Sequence, residues 1–296
     1  MSSGRLRSER QAKKSGRGPV DARLVVCLAG LLLGRGAALA GELDQTIALA
    51  TYQACVPAAI ASVGIETVDE DGVFADASGQ RFFASDLYRP NAAMALESTG
   101  YLGGGSGSST DIEAVPLGPE NRWGLVPAWI TVRQAGEVQL LQSLLLSEGV
   151  ALFMPGRAEG ACADLLRQAE GEARRNRKGL WEDKAAAPVY SAAKPEPLLE
   201  RTGDYVIVRG RVVSLGKTDS TRYLNFGKYW KTDFTVTLKT SDEAIFDAAL
   251  GGSGRHVEAL AGKTVELRGV VQEWDGPHIA LHHPEQLIVL DPPAFE

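Results

Sequence analysis

The spacing of apolar and polar positions divides the chain into stretches of different character. Near the start, an apolar run from Leu24 to Leu33 follows a polar leader. Ile60 to Val73 and Gln80 to Leu87 then read as β-rich, and Trp129 to Val132 as a further strand. Glu137 to Ser147 predicts a helix, because Leu140, Leu141, Leu144 and Leu145 return to one face. Ala161 to Lys178 predicts a second, strongly amphipathic helix. Leu165, Leu166, Ala169 and Ala173 mark its apolar face, Arg167, Glu172, Arg174, Arg175 and Lys178 mark the other, and Gly179 is its expected stop. Residues 102–110, LGGGSGSST, carry no burial pattern and read as a loop. The alanine- and proline-rich stretch 184–200 reads as a linker. Beyond it lie short strand patterns at Tyr205 to Leu215, Tyr223 to Phe226, Phe234 to Leu238, Thr264 to Glu273 and His278 to Leu281, with a helical insert near Asp242 to Leu250. Five short strands with one helical insertion fit a small closed barrel of the OB type. The expected fold class is therefore β-barrel plus α (α+β): a barrel with packed helices, followed by a second small OB-like β-barrel.

The chain has 296 residues, enough for two cores, and its 44% hydrophobic and 23% charged content is that of an ordinary globular protein. Seven Lys or Arg residues between Arg5 and Arg23 precede the apolar run, and Ala38-Leu39-Ala40 supplies a small-x-small cleavage pattern. Residues 1–40 therefore read as a secretory signal peptide, the alternative being an uncleaved amphipathic anchor. Export places the protein in the periplasm or outside the cell, and no stable membrane span is expected after cleavage. The leader carries eight basic and two acidic residues, so its loss takes the net charge from −6 to −12. A chain this acidic does not coat nucleic acid through bulk charge; it must concentrate its cations locally to hold phosphates. Cys27 leaves with the leader, which leaves Cys55 and Cys162. In an oxidising compartment this pair is a disulfide candidate closing a loop of about 107 residues; two buried free thiols are the alternative.

The segment LLQSLLLSEGVALFMPG followed by CADLLRQAEGEARRNRKGLW, Leu140 to Trp181, resembles the C-terminal half of the thermonuclease (staphylococcal-nuclease-like) family. The E-x-x-A-R pattern ending in Gly179-Leu180-Trp181 carries the resemblance, which extends more weakly upstream to about Val63 and covers roughly 120 residues. It implies a thermonuclease-like domain over 41–183, followed by the linker and an OB-like domain over 201–296. Phosphodiester hydrolysis in that family uses calcium held by aspartates, two arginines and a glutamate. Acid oxygens bind a hard cation and orient water, and guanidinium groups offset charge building on phosphorus. Transferred residue by residue, much of this set is missing. With Pro90 in the place of the family proline, the glutamate position falls on Asn91 and the first arginine position on Phe83. A second register puts Arg81 at the arginine position but Arg89 at the glutamate. Asn121-Arg122-Trp123-Gly124-Leu125 matches the segment that bears the second arginine and places Leu125 there. Glu70-Asp71-Gly72-Val73 lies where the metal aspartates belong, so Asp69 and Asp71 are the candidate cation ligands, calcium being required only for a retained nuclease. Asp86 is the fallback acid.

The run TRYLNFGKYWKTDFTV, with RGVVQEWDGPHIALHHPEQLIVL, resembles an OB-like module found C-terminal to thermonuclease-like domains. Arg222, Tyr223, Phe226, Lys228, Tyr229, Trp230 and Lys231 combine aromatics with positive charge, the ingredients of a base-stacking or other ligand surface. The competing expectation is a hairpin whose aromatics pack the barrel, since Phe234, Val236 and Leu238 alternate toward a core. His278, His282 and His283 make a poor metal set, because strand alternation sends His283 to the opposite face. Gly103-Gly104-Gly105 lacks the lysine of a phosphate loop, and Ser106, Ser108 and Ser109 have no histidine in a nucleophile motif. Three functional classes result: a catalytically inactive binding or scaffold module of the envelope, contacting a protein, a glycan or single-stranded nucleic acid; a divergent calcium-dependent nuclease; and a structural envelope protein with no ligand site.

Overall fold

The structure is a computed structural model and describes residues 49–89, 111–134, 136–183, 187–229, 231–251 and 256–290. The expected signal peptide, the 102–110 loop, Asn91 and Trp230 lie outside the described residues. The described residues belong to one compact unit, Ile47–Glu296. Its architecture is α+β, with a curled half-barrel sheet and few helices.

The first sheet is built from β1 (Val63–Gly64), β2 (Thr67–Val68), β3 (Val73–Ala75), β4 (Arg81–Ala84), β6 (Asp111–Pro116), β7 (Leu125–Gln134) and β8 (Glu137–Leu140). Its order is β1-β6-β7-β4-β3-β2, with β8 also pairing with β7. The ten-residue β7 is the strand on which the sheet curls. Its first residues run parallel to β4, its middle pairs antiparallel with β6, and its end pairs with β8. Three helices accompany this sheet: α1 (residues 49–55), α2 (Leu141–Ser147) and α3 (Gly160–Asn176). Phe74, Phe82, Ile130, Leu141, Leu145 and Leu166 are among the side chains of this core. A short separate pair, β5 (Leu87–Tyr88) with β9 (Leu152–Phe153), links the strand region to the helical one.

Three local expectations are corrected. The helix expected from Glu137 begins only at Leu141, because residues 137–140 are claimed as a strand by β7; the leucines at 141 and 145 are the helical pair. The α3 helix ends at Arg177, which takes the left-handed conformation at φ 53°, so Gly179 is not its stop. Gly179 has a different task. Its φ is +53° and that of Gly149 is +70°, and a Cβ on Gly179 would lie 2.5 Å from the Gly149 oxygen, one on Gly149 2.2 Å from the Lys178 oxygen. The two glycines let the turn after α2 and the turn after α3 touch backbone to backbone, and Leu180 N donates to Gly149 O at 2.8 Å. Trp181 is buried directly beyond.

The third correction concerns the expected linker. Residues 189–191 form β10 (Val189–Ser191), which pairs in parallel with β11 (Tyr205–Arg211), and Pro195–Leu199 is a short helix, α4. Ala192 and Leu198 are buried in the second core. Apolar side chains at these positions and free strand-edge groups on β11 outweigh the flexible composition. A four-stranded sheet runs β10-β11-β15-β18, with β15 Thr264–Val270 and β18 Leu287–Val289. A five-stranded sheet runs β12-β13-β14-β17-β16, with β12 Ser214–Lys217, β13 Thr221–Asn225, β14 Thr235–Lys239, β16 Gln272–Glu273 and β17 Pro277–Ala280. Leu224, Phe234, Val236, Leu267 and Ile279 fill the core to which both sheets contribute, and α5 (Glu243–Ala249) adds Phe246.

The two cores are joined by a third cluster, Leu152, Ala173, Trp181, Tyr205 and Ile207, which takes residues from both sides. At its edge Arg268 of β15 is buried against Glu170 of α3, with Nη1 to Oε1 at 3.0 Å, and it also reaches Glu266 at 2.8 Å. Glu170 Oε1 accepts the Phe153 amide at 2.8 Å, and Tyr205 Oη donates to Phe153 O at 3.0 Å. Arg209 completes the set on Glu266. Burial acts to raise the Glu266 carboxyl, but Arg268 and Arg209 outweigh it and hold it below its ordinary range. A second contact joins the same parts: Glu285 accepts the Gly160 amide at the start of α3, at 3.1 Å, and pairs with Arg167. A carboxylate at a helix N-terminus is favoured by the helix dipole.

Cys55 of α1 and Cys162 of α3 form a disulfide across a sequence separation of 107 residues. Cutting it with reductant, or by paired Cys55→Ser and Cys162→Ser substitution, is expected to destabilise the protein by about 3–5 kcal/mol in denaturant unfolding. Arg268→Ala leaves Glu170 charged and buried, and is expected to cost about 3–5 kcal/mol by the same measurement; the double variant Arg268→Met with Glu170→Gln is expected to lose less.

Candidate functional site

Of the expected catalytic positions, Arg81, Phe83 and Leu125 fall on one face of the first sheet. Along β4, Phe82 and Ala84 enter the core, so Arg81 and Phe83 share the opposite face. The parallel register sets Arg81 beside Leu125 and Phe83 beside Pro127. Arg81 is exposed, Phe83 and Leu125 half-buried. Phe83 and Pro127 form part of the wall of a cleft of about 850 Å³ that also draws on Tyr205, Gln272 and His282. The cleft lies where the two sheet systems meet.

Asp86 lines this cleft and is occupied. It is buried, takes a left-handed φ of 65°, and directs Oδ1 at three successive amides, Gly156, Arg157 and Ala158, at 2.8, 2.9 and 2.8 Å. Its Oδ2 accepts the Ser85 hydroxyl at 2.6 Å, and its carbonyl accepts the Met154 amide. Both carboxylate oxygens therefore face the protein's own donors, which fastens the 154–158 loop ahead of α3. As the fallback acid Asp86 is corrected: a carboxylate with this many internal donors has little left for a cation or a water.

The candidate cation ligands sit in the β2–β3 turn. Asp69 Oδ1 accepts the Val73 amide at 2.8 Å and the Asp69 carbonyl accepts Gly72 N, so this carboxylate closes its own hairpin. Arg89 reaches across to this turn, its Nη2 donating to Asp71 O at 3.1 Å. Burial lowers the Arg89 guanidinium, against the raising effect of Asp69 and Asp71. A guanidinium thus stands beside the acids proposed to hold calcium, and among the described residues no group of three His, Cys, Asp or Glu is arranged to hold a metal ion. One register had placed the family glutamate at Arg89; the side chain there brings the opposite charge.

The Asn121–Leu125 segment is a tight turn in which Asn121 Oδ1 accepts the amides of Trp123 and Leu125 at 2.9 and 3.1 Å. Arg122 stacks 4.0 Å over the exposed Trp123 ring, pointing its charge at solvent. Arg157 is the cationic side chain of the cleft wall. His282 and His283 reach this cleft as well, whereas His278 lies on another face of the protein. His283 Nδ1 accepts the Glu285 amide and caps a short turn, a structural role that alternation alone did not reveal.

The expected nucleic-acid or ligand surface is divided by the fold. Arg222 is buried and ion-paired with Glu243 and Glu258, and Phe226 is buried against Phe234, with ring centroids 5.1 Å apart. These two are corrected to interior roles: alternation on β13 points position 222 at α5, and the turn after it closes over the core. Lys228, Tyr229 and Lys231 are exposed in the β13–β14 loop, and Tyr223 faces outward from β13. The six of these residues that are described therefore do not form one basic, aromatic face. No protein-family model matches the chain, and no curated protein matches it.

Asp86→Ala is expected to destabilise the protein by about 3 kcal/mol and to speed amide exchange at Gly156, Arg157 and Ala158 selectively. Unchanged exchange at those amides would contradict the anchoring role.

Proposed function

We propose that this chain is an exported, catalytically inactive binding or scaffold protein of the periplasm or cell envelope, with a thermonuclease-like first half and an OB-like second half. The observation that carries this reading is the commitment of Asp86. The fallback acid holds three backbone amides and a hydroxyl, while the arginine positions are Phe83 and Leu125 in one register and Arg81 and Leu125 in the other, which still lacks the glutamate. The Arg89 guanidinium at the Asp69–Asp71 turn supports it further, since a fixed cation there opposes entry of a second one. Loss of arginines facing a phosphorane removes the electrostatic stabilisation on which phosphodiester hydrolysis depends. The disulfide supports an oxidising compartment, and no helix among the described residues is long and apolar enough to cross a membrane.

Purified residues 41–296, incubated with single-stranded DNA or RNA, are expected to give no cleavage with calcium or with chelator. Calcium-dependent cleavage that co-purifies with the protein would establish the divergent nuclease instead. Leu125→Arg alone is expected to give no hydrolysis, because Asn91 still lacks the carboxylate of the family glutamate; turnover by that variant would show that another carboxylate acts.

A further inference from the structure

The outward face of the five-stranded sheet carries a second, smaller pocket of about 360 Å³. Its floor follows from the strand registers. Tyr223 of β13 stands opposite Thr237 of β14, Asn225 opposite Thr235, and Thr235 beside His278 of β17. The neighbours of these residues, Leu224, Val236 and Ile279, enter the core, so this set points the other way. Trp274 rises at one side from the β16–β17 hairpin, whose turn places Asp275 at a left-handed φ of 49° and closes with Trp274 N donating to Gly276 O. The Trp274 side chain is 62% exposed and meets the His278 ring edge-on, with centroids 5.2 Å apart.

Two features distinguish this pocket from an ordinary sheet surface. Large aromatic side chains, Tyr223 and Trp274, form walls. The floor, in contrast, holds buried polar atoms without partners. His278 is buried and its Nε2 is engaged with Thr237 Oγ1 at 2.9 Å, but among the described residues Nδ1 has no hydrogen-bond partner, and neither has Thr235 Oγ1. Such atoms cost free energy unless something meets them. Either tautomer of His278 leaves a need at Nδ1: a donor is wanted if the ring proton sits on Nε2, an acceptor if it sits on Nδ1. A hydroxyl group serves both cases. Burial holds the imidazole below its ordinary value of 6.5, so the floor is uncharged at neutral pH. Asp275 contributes the acid of the wall, and among the described residues no lysine or arginine lines the pocket.

We propose that this pocket binds a neutral sugar ring of a glycan, the ring lying against Trp274 and Tyr223 while its hydroxyls pair with His278 Nδ1, Thr235 Oγ1 and the Asp275 carboxylate. A pyranose presents apolar C–H groups on one face and hydroxyls around its edge, which matches aromatic walls over an unpartnered polar floor. Phosphate is disfavoured by the absence of a cation and the presence of Asp275. The volume is at the small end for ligand sites and suits one ring rather than an extended surface. His278 Nδ1 and Thr235 Oγ1 are closed to solvent as they stand, so binding requires the exposed Trp274 side chain, in edge contact with His278, to shift as the ring enters. The inference rests on the reading of the chain as a binding protein but not on loss of nuclease chemistry, which the hydrolysis assay tests separately.

The test is titration of residues 41–296 with neutral tetrasaccharides of glucose, galactose, mannose and N-acetylglucosamine, and with a deoxythymidine oligonucleotide, followed by the indole NMR signal of Trp274 and by calorimetry. Saturable binding of at least one tetrasaccharide is expected, with the Trp274 signal shifting. Trp274→Ala and Tyr223→Ala are expected to weaken it at least tenfold, and His278→Phe to weaken it as well. Trp274 is exposed, so its variant is expected to keep the parental melting temperature and serves as the control for folding. Failure of all four sugars to bind would overturn the proposal, as would sugar binding that Trp274→Ala leaves unchanged. Binding of the oligonucleotide alone, lost in Trp274→Ala, would make the pocket a base-stacking site and overturn the sugar assignment. None of these results depends on whether hydrolysis occurs.

Discussion

The position of Arg268 constrains the rest of the structure. A guanidinium buried between Glu170 and Glu266 cannot exist in a half-formed protein without a large desolvation cost, because its partners come from a helix of the first part and a strand of the second. The same side chain caps the Phe153 carbonyl, which also accepts from Tyr205. Helix α3, strand β9 and strands β11 and β15 are therefore set by one polar cluster, surrounded by Leu152, Ala173, Trp181 and Ile207. Buried ion pairs of this kind add little net stability compared with apolar packing, but removing one partner leaves the other buried and uncompensated. The cleft between the two sheet systems takes its shape from this fixed seam.

Much of the fold can be read in the apolar spacing. The α3 helix and strands β11, β13, β14, β15 and β17 follow from periodicity, and the cysteine pairing from the expectation of an oxidising compartment. What escaped has identifiable causes. Residues 137–140 carry a leucine pattern compatible with helix, and only the partner strand β7 decides against it. Residues 189–199 have a linker's composition, yet a parallel strand partner and the burial of Ala192 and Leu198 order them. Neither partner is visible within a local window. The Gly-Leu-Trp motif is legible as a motif, but the reason for its glycine, the touch against Gly149, is a tertiary fact.

The candidate sites divide in the same way. That Phe83 and Leu125 cannot supply guanidinium groups is plain from their identities. That Asp86 is spoken for is not, because its donors lie about seventy residues later in the chain. Arg222 and Phe226 look like surface chemistry in the sequence because charge and aromaticity are counted without direction; the strand turns them inward. The Trp274–His278 pocket was hidden for a related reason. Its floor joins the neighbouring strands β13 and β14 to β17, with His278 lying 41 residues beyond Thr237, and its distinguishing property, unpartnered polar atoms, exists only once those strands are paired.

The disulfide and the Arg268 cluster both join early residues to late ones, and this bears on how the protein can be made. A chain emerging from its N-terminus presents Cys55 long before Cys162, so α1 stays untethered until most of the first part has appeared. Glu170 then waits for Arg268, nearly a hundred residues further on. Synthesis interrupted between Glu170 and Arg268 leaves a product whose Glu170 lacks its guanidinium partner. Such a product carries the desolvation cost of that carboxylate without the charge that offsets it.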